Sequence, residues 1–267
     1  MRYLRQIWSS KYAIHKMAVQ KIKVQYSDQI LGIFWAIVNP LIYIFTLWFA
    51  FTSGAREARV IDGVYPYIVW LGSGVLCWRF ISSSIVMAPK VIKANSALVK
   101  TVKFPVMNIP IIEVLKDLYV HMVVIIIVGL LFIPMAGWEY GPSIYYLNFI
   151  YYWFMILIFL VGVSLILCTL GVLVTDVKSF VSAITLPLLW VQPIMWELSD
   201  TGKAHFLIKF FDPFYYYIEG YRDTIVYHRW FFTDPLFDIY NWLIIFVIYF
   251  VGITLWKNTR ELMPDLI

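Results

Sequence analysis

Apolar positions in this chain come in long unbroken runs, not in the alternation of a half-buried strand or the stripe of a soluble helix. Six runs read as membrane-crossing helices, at residues 33–51, 65–87, 112–133, 149–174, 180–196 and 240–256. The fifth is short and carries Pro187 and Pro193; the third opens on Glu113, Lys116 and Asp117. Residues 1–30 have another pattern. Arg2, Arg5, Lys11, Lys16, Lys21 and Lys23 alternate irregularly with Trp8, Tyr12, Ile14, Met17, Ile22 and Tyr26, which predicts a helix on a membrane surface. The stretch is too long before its apolar run to read as a signal peptide.

Between the last two runs lies FFDPFYYYIEGYRDTIVYHRWFF, residues 210–232. It has the length of a span, but Asp212, Glu219, Arg222, Asp223 and Arg229 make it too charged to cross lipid. Exposed irregular backbone cannot sit in hydrocarbon with its polar groups unpaired. Residues 197–235 are therefore expected to form two short helices that dip into the outer leaflet and return, broken near Gly220. Asp212 is placed to cap a helix with Pro213 at its first position, and Glu219 and Arg222 are spaced to pair. The tyrosines suit the headgroup level. Tyr215, Tyr216, Tyr217 and Tyr221 are also candidates to border an exit path, where flat rings would stack on sugars.

Composition strengthens the membrane reading. Of 267 residues, 62% are hydrophobic and 14% charged, against about 25% charged in a soluble domain. The expectation is an all-α integral membrane protein, one transmembrane domain over residues 1–267. The net charge of +5 fits basic cytoplasmic loops better than nucleic acid. With six spans, thirteen lysines and arginines fall on the side of the termini and six on the other, which puts both termini in the cytoplasm.

Catalytic signatures are missing. The only Gly-Lys pair, Gly202-Lys203, is followed by Ala204 and lacks the rest of a phosphate loop, so ATP binding in this chain is not expected. There is no G-x-S-x-G elbow, no H-E-x-x-H and no pair of aspartates two apart. Cys77 and Cys168 lie in apolar runs and read as packing residues; the four histidines have no metal-ligand spacing.

Two polar features remain. In residues 88–105, Val91, Ile92, Leu98, Val99 and Val102 fall on one helical face and Lys90, Lys93, Lys100 and Lys103 on the other. Such a helix rests on headgroups or docks on a soluble partner. Arg79 in the second run and Glu113 and Asp117 in the third fall at similar depth in a helical hairpin, which predicts an intramembrane charge pair. Left unpaired, each charge costs about 2.5–3.5 kcal/mol.

Four stretches together resemble the membrane subunits of ABC-2 type polysaccharide exporters: KVQYSDQILGIFWAIVNP (23–40), NSALVKTVKFPVMNIP (95–110), QPIMWE (192–197) and DPFYYYIEGYRDTIV (212–226). Gln192 replaces the family's serine and Asp212 its asparagine. PSIYYL (142–147) with PFYYYIEGYRD looks most like the teichoic acid translocation permeases, with O-antigen and capsule exporters close. The resemblance implies the type V exporter fold in a bacterial cytoplasmic membrane. It implies a homodimer joined by two separate ATPase subunits that bind ATP and Mg, this chain holding no cofactor. The implied cargo is a polymer on undecaprenyl pyrophosphate. Residues 88–104 and the N-terminal helix would contact the ATPase, with Lys93, Leu98, Val99 and Lys100 as coupling candidates. Lys16, Lys21 and Lys23 stand where they would attract the pyrophosphate. Two rivals stand beside this reading: a membrane-embedded glycan-modifying enzyme, and an exporter of small molecules or drugs, which shares the same architecture.

Overall fold

The computed structural model describes residues 8–55, 60–61, 64–101, 105–198 and 203–260. The elements are helical apart from a two-residue antiparallel pairing of β1 (Val60–Ile61) with β2 (Tyr65–Pro66). The helices are α1 (Lys11–Ser27), α2 (Trp35–Ala50), α3 (Tyr67–Met87), α4 (Val91–Ala94), α5 (Ser96–Thr101), α6 (Asn108–Ala136), α7 (Asn148–Leu173), α8 (Val177–Val191), α9 (Lys203–Phe211), α10 (Tyr215–Ile225) and α11 (Pro235–Thr259).

Five helical stretches among the described residues are long and apolar enough to cross a membrane: Gly32–Ser53, Tyr67–Ala94, Asn108–Ala136, Trp138–Leu173 and Pro235–Thr259. Five of the six expected runs thus appear with small shifts. The fifth run is α8, which has 15 residues. At about 1.5 Å per residue it falls short of a hydrocarbon core about 30 Å thick. It ends at Gln192-Pro193, where the helical hydrogen bonding stops.

α3 is the hub, packing against α2, α6, α7, α8 and α10. Its spacing of Gly72, Ser73 and Gly74 with Trp70 and Trp78 lets neighbouring helices approach from several sides. α7 and α11 pack closely. A Cβ on Gly252 would lie 2.6 Å from the Gly162 carbonyl oxygen, so the two backbones touch where neither residue has a side chain. The stretches Gly32–Ser53 and Pro235–Thr259 are the least buried of the five. Ile42, Phe45 and Phe49 on α2 and Leu243, Phe246 and Phe250 on α11 point outward.

The N-terminal stretch holds a helix, α1, which buries Ile14 and Ala18. It packs along the first half of α6: Lys21 meets Glu113 at 2.7 Å and His15 meets Tyr119 at 3.0 Å, so the two helices run antiparallel. Residues 1–7, including Arg2 and Arg5, lie outside the described residues.

Candidate functional site

Three polar regions interrupt the apolar bundle. The first lies where α1, α2, α3 and α6 meet. Lys116 holds Glu113 at 2.5 Å and Asp117 at 3.2 Å, and Lys21 reaches Glu113 from α1. Asp117 also accepts from the Ser84 hydroxyl at 2.8 Å. The expected pairing of Arg79 with Glu113 or Asp117 is not the one formed. The Arg79 guanidinium lies 5.5 Å over the Tyr43 ring instead. Equal depth on two helices does not fix which way side chains point. Lys116, one turn from Glu113, and Lys21 satisfy the carboxylates first. Of the lysines expected to attract pyrophosphate, Lys21 is thus occupied. Lys16 lies 4.5 Å over the Tyr12 ring, and Lys23 is exposed.

The second region is the loop after α3. It is not one helix: a turn at Ala88–Lys90 leads into α4, Asn95 breaks the path, and α5 follows. The Asn95 amide donates to the Val91 carbonyl at 2.6 Å, and its backbone leaves the helical region. The predicted faces hold for the first half: Val91 and Ile92 are buried and Lys93 is exposed. Leu98 is half-buried against the core. The side chains of Val99 and Lys100, and residues 102–104, lie outside the described residues. The turn is pressed onto α7. A Cβ on Gly171 would stand 2.3 Å from the Pro89 carbonyl oxygen. Lys90, Lys93 and Lys178 surround a cavity of about 330 Å³ beside this contact.

The third region is the segment between α8 and α11. It forms two helices, but the break falls at Asp212–Phe214 and not near Gly220. Asp212 turns the chain by accepting the Phe214 N–H at 2.9 Å. Gly220 sits inside α10 because the Tyr152 ring fills the space a Cβ would need, at 2.3 Å. The Glu219–Arg222 pair forms. Sequence reasoning missed how far Arg222 goes in. It is 1% exposed, its guanidinium lies 3.5 Å over the Trp70 ring, and it donates to the Pro193 and Ile194 carbonyls at 2.5 and 3.3 Å. These carbonyls belong to the non-helical stretch just after α8. A buried guanidinium therefore closes the break between α8 and α9 and ties it to α3.

The four tyrosines separate. Tyr217 and Tyr221 are buried in the core. Tyr221 is a latch: its hydroxyl accepts from the Trp153 indole at 3.1 Å and shares a hydrogen bond with His121 Nε2 at 2.8 Å. His121 stacks on Phe80 with centroids 4.8 Å apart. A histidine in the middle of an apolar run was the signal for this network. Tyr215 and Tyr216 do line a cavity of about 300 Å³, with Tyr152, Glu219, Asp223 and Trp230. Tyr216 donates to Asp238. Outside the spans, burial pushes the Asp223 carboxyl up to about 7, with Glu219 adding and Arg229 and Arg222 opposing. Burial likewise raises Asp212 to about 6, against the Phe214 N–H.

Cys77 and Cys168 are buried and free. Among the described residues, no group of three or more His, Cys, Asp or Glu side chains could hold a metal ion.

The membrane-length helices mark a multi-pass membrane protein. The chain belongs to the ABC-2 type transporter family, whose pattern matches residues 12–226. It is similar to an O-antigen export system permease protein of Klebsiella pneumoniae, 26% identical over 239 residues that cover 88% of this chain and 84% of the relative. It is similar to a polysialic acid transport protein of Escherichia coli, 21% identical over 253 residues, 95% of both chains. It also resembles an O-antigen export system permease protein of Myxococcus xanthus, 21% identical over 240 residues, 88% of both.

Proposed function

We propose that this chain is the membrane subunit of an exporter of lipid-linked surface polysaccharide, of O-antigen or capsule type, working as a homodimer with two separate ATPase subunits. The observation that carries the reading is the family match over residues 12–226, joined to relatives named for O-antigen export and polysialic acid transport. Teichoic acid is the second reading, favoured by PSIYYL and PFYYYIEGYRD.

In this reading α1 and the 88–101 loop face the cytoplasm, where ATPase subunits would act. Lys90, Lys93 and Lys178 suit acidic groups of that partner. ATP binding would move the loop, and the press of Pro89 on Gly171 would carry the motion into α7. On the far side, α9 and α10 would re-enter the outer leaflet, with α8 and the following Pro193 stretch completing a sixth crossing. The cavity at Tyr215 and Tyr216 offers ring faces and carboxylates to sugar hydroxyls.

The experiment is depletion and restoration in the source cell. Depletion should remove polysaccharide from the surface while undecaprenyl-linked polymer accumulates inside. The wild-type chain should restore export only when the ATPase subunit is active. Unchanged surface polymer on depletion would sink the reading. A purified chain that modifies a lipid-linked sugar without an ATPase would move it to the enzyme class.

A further inference from the structure

The corner just after α8 is tied to α9 and α10 at two neighbouring points. One is the Arg222 guanidinium on the Pro193 and Ile194 carbonyls. The other lies one residue earlier, where the buried Gln192 side chain hydrogen-bonds to the Asp212 carboxyl. Asp212 opens the turn between α9 and α10, its Oδ1 accepting the Phe214 N–H at 2.9 Å. That turn seats the Phe214 ring edge-on to Trp78 of α3 and Phe159 of α7, with centroids 5.4 and 5.9 Å apart. A shift of Asp212 against Gln192 would therefore move a ring lodged between two spans.

The two ties differ in chemistry. A guanidinium keeps its proton at every pH a folded protein meets, and a carboxyl does not. The charged and titratable groups on the elements around Asp212 are engaged elsewhere. Lys209 of α9 lies 3.6 Å from Asp234, Arg222 of α10 pairs with Glu219, Tyr216 donates to Asp238, and Tyr240 of α11 donates to the Phe210 carbonyl. His205, Tyr152 and Asp223 line the outer cavity, while Cys77 of α3 and Tyr217 of α10 are buried in the core. At the tie itself two buried acceptors, Asp212 Oδ2 and Gln192 Oε1, have no donor. Each such orphan is costly. A single proton on Asp212 answers both. A carboxylic acid and a primary amide face to face can make two hydrogen bonds, one donated each way; a carboxylate can only accept. Burial favours that proton, raising the carboxyl to about 6 against the Phe214 and Tyr215 N–H groups and the Gln192 amide.

We propose that Asp212 and Gln192 form a proton-operated clasp, which when protonated makes two hydrogen bonds and locks the α9–α10 turn to the stretch after α8, and when ionised keeps one and frees the turn to shift. The folded carboxyl sits at about 6, above its ordinary value of 3.8, so between these limits the folded chain holds a proton that the unfolded chain has lost. The clasp is closed below this window and opens as pH rises through about 6. Above it, Arg222 alone holds the corner firmly. The clasp lies within one copy of the chain and does not depend on the export reading.

The test uses the full-length protein in detergent, carrying Asp223→Asn so that the neighbouring carboxyl does not titrate. Hydrogen exchange across residues 205–216, corrected for the intrinsic effect of pH, reads the clasp. The turn should exchange about tenfold faster at about pH 7.5 than at about pH 5. Asp212→Asn carries a donor and an acceptor at every pH, so its turn should stay protected at both values. Gln192→Leu leaves the carboxyl but removes its partner, so its turn should exchange fast at both, and it serves if Asp212→Asn does not fold. The infrared band of a protonated carboxyl should be present at the lower pH and absent from Asp212→Asn. Exchange that ignores pH with Asp212 present overturns the clasp. So does a pH response that persists in Asp212→Asn, which would place the titration at His205 or His228. A pH response that persists in Gln192→Leu overturns the role of the amide, and with it the clasp.

Discussion

Replacing Arg222 with methionine should be among the most damaging single changes in the protein. The side chain is 1% exposed and makes three kinds of contact: two carbonyls, one ring and one carboxylate. Each charge-assisted hydrogen bond to Pro193 and Ile194 contributes about 1.5–3 kcal/mol, and both carbonyls would be stranded where α8 ends. The desolvated stacking on Trp70 adds about 2 kcal/mol. The Glu219 pair counts for less, because that carboxylate is 28% exposed and water can replace its partner. Methionine recovers some packing and avoids the guanidinium's own desolvation, so the net loss is about 3–5 kcal/mol, as for other broken buried pairs. At about 2–4 °C per kcal/mol, thermal unfolding followed by tryptophan fluorescence in detergent should drop by about 10 °C. Arg222→Lys keeps the charge but loses the fork, and should lie between. Glu219→Gln should cost less than about 1 kcal/mol. A Glu219→Gln loss as large as that of Arg222→Met would show that the ion pair, and not closure of the helix break, holds this corner.

Gly252→Val should separate α7 from α11, because a Cβ there meets the Gly162 carbonyl at 2.6 Å; overpacking of this kind costs about 1–3 kcal/mol, readable as a lower melting temperature. Lys116→Met should cost about 3–5 kcal/mol by removing the cation that pairs with Asp117 and leaving Glu113 with Lys21 alone, whereas a double-mutant cycle between Arg79 and Asp117 should show coupling below about 0.5 kcal/mol. Asp223 has a raised folded pKa of about 7, so between about pH 4 and 7 the folded protein holds a proton that the unfolded chain has lost. Stability should therefore fall as pH rises through that window, and Asp223→Asn should flatten the profile of melting temperature against pH.

The apolar runs were enough to place five helices, since lipid-length segments leave few alternatives. α8 was less legible because its composition is apolar to Trp196 while its hydrogen bonding stops at Val191; only the two prolines hinted at the end. Gly220 was misread as a breaker. Its role is to admit the Tyr152 ring, and a close contact with a residue 68 positions earlier leaves no local trace. Asp212-Pro213, a true turn signal, was noticed as a cap and marks the actual break. Spacing on one helix proved dependable at Glu219–Arg222, and the Glu113–Lys116 pair, which was not foreseen, has the same spacing. Pairing across helices did not, because depth can be read from sequence and azimuth cannot. The loop after α3 shows the same limit: its faces were right as far as Lys93, but the Asn95 break depends on one side chain turning back to the Val91 carbonyl.

Among the ties that hold α6 along its length are Lys21 at Glu113 and Tyr221 at His121. Those points are eight residues apart, about 12 Å of helix, and about 22 Å more separates His121 from the end at Ala136. Mechanically this is a lever with unequal arms. If α6 tilts as a rigid rod about His121, each ångström that α1 moves sideways at Glu113 sweeps the Ala136 end through about 2 Å. Small strokes at one membrane face would be amplified at the other. The gain depends on the fulcrum, so spin-label distances at Ala136 should respond less to a shift of α1 once His121→Leu loosens the pivot, and an unchanged response would place the pivot elsewhere.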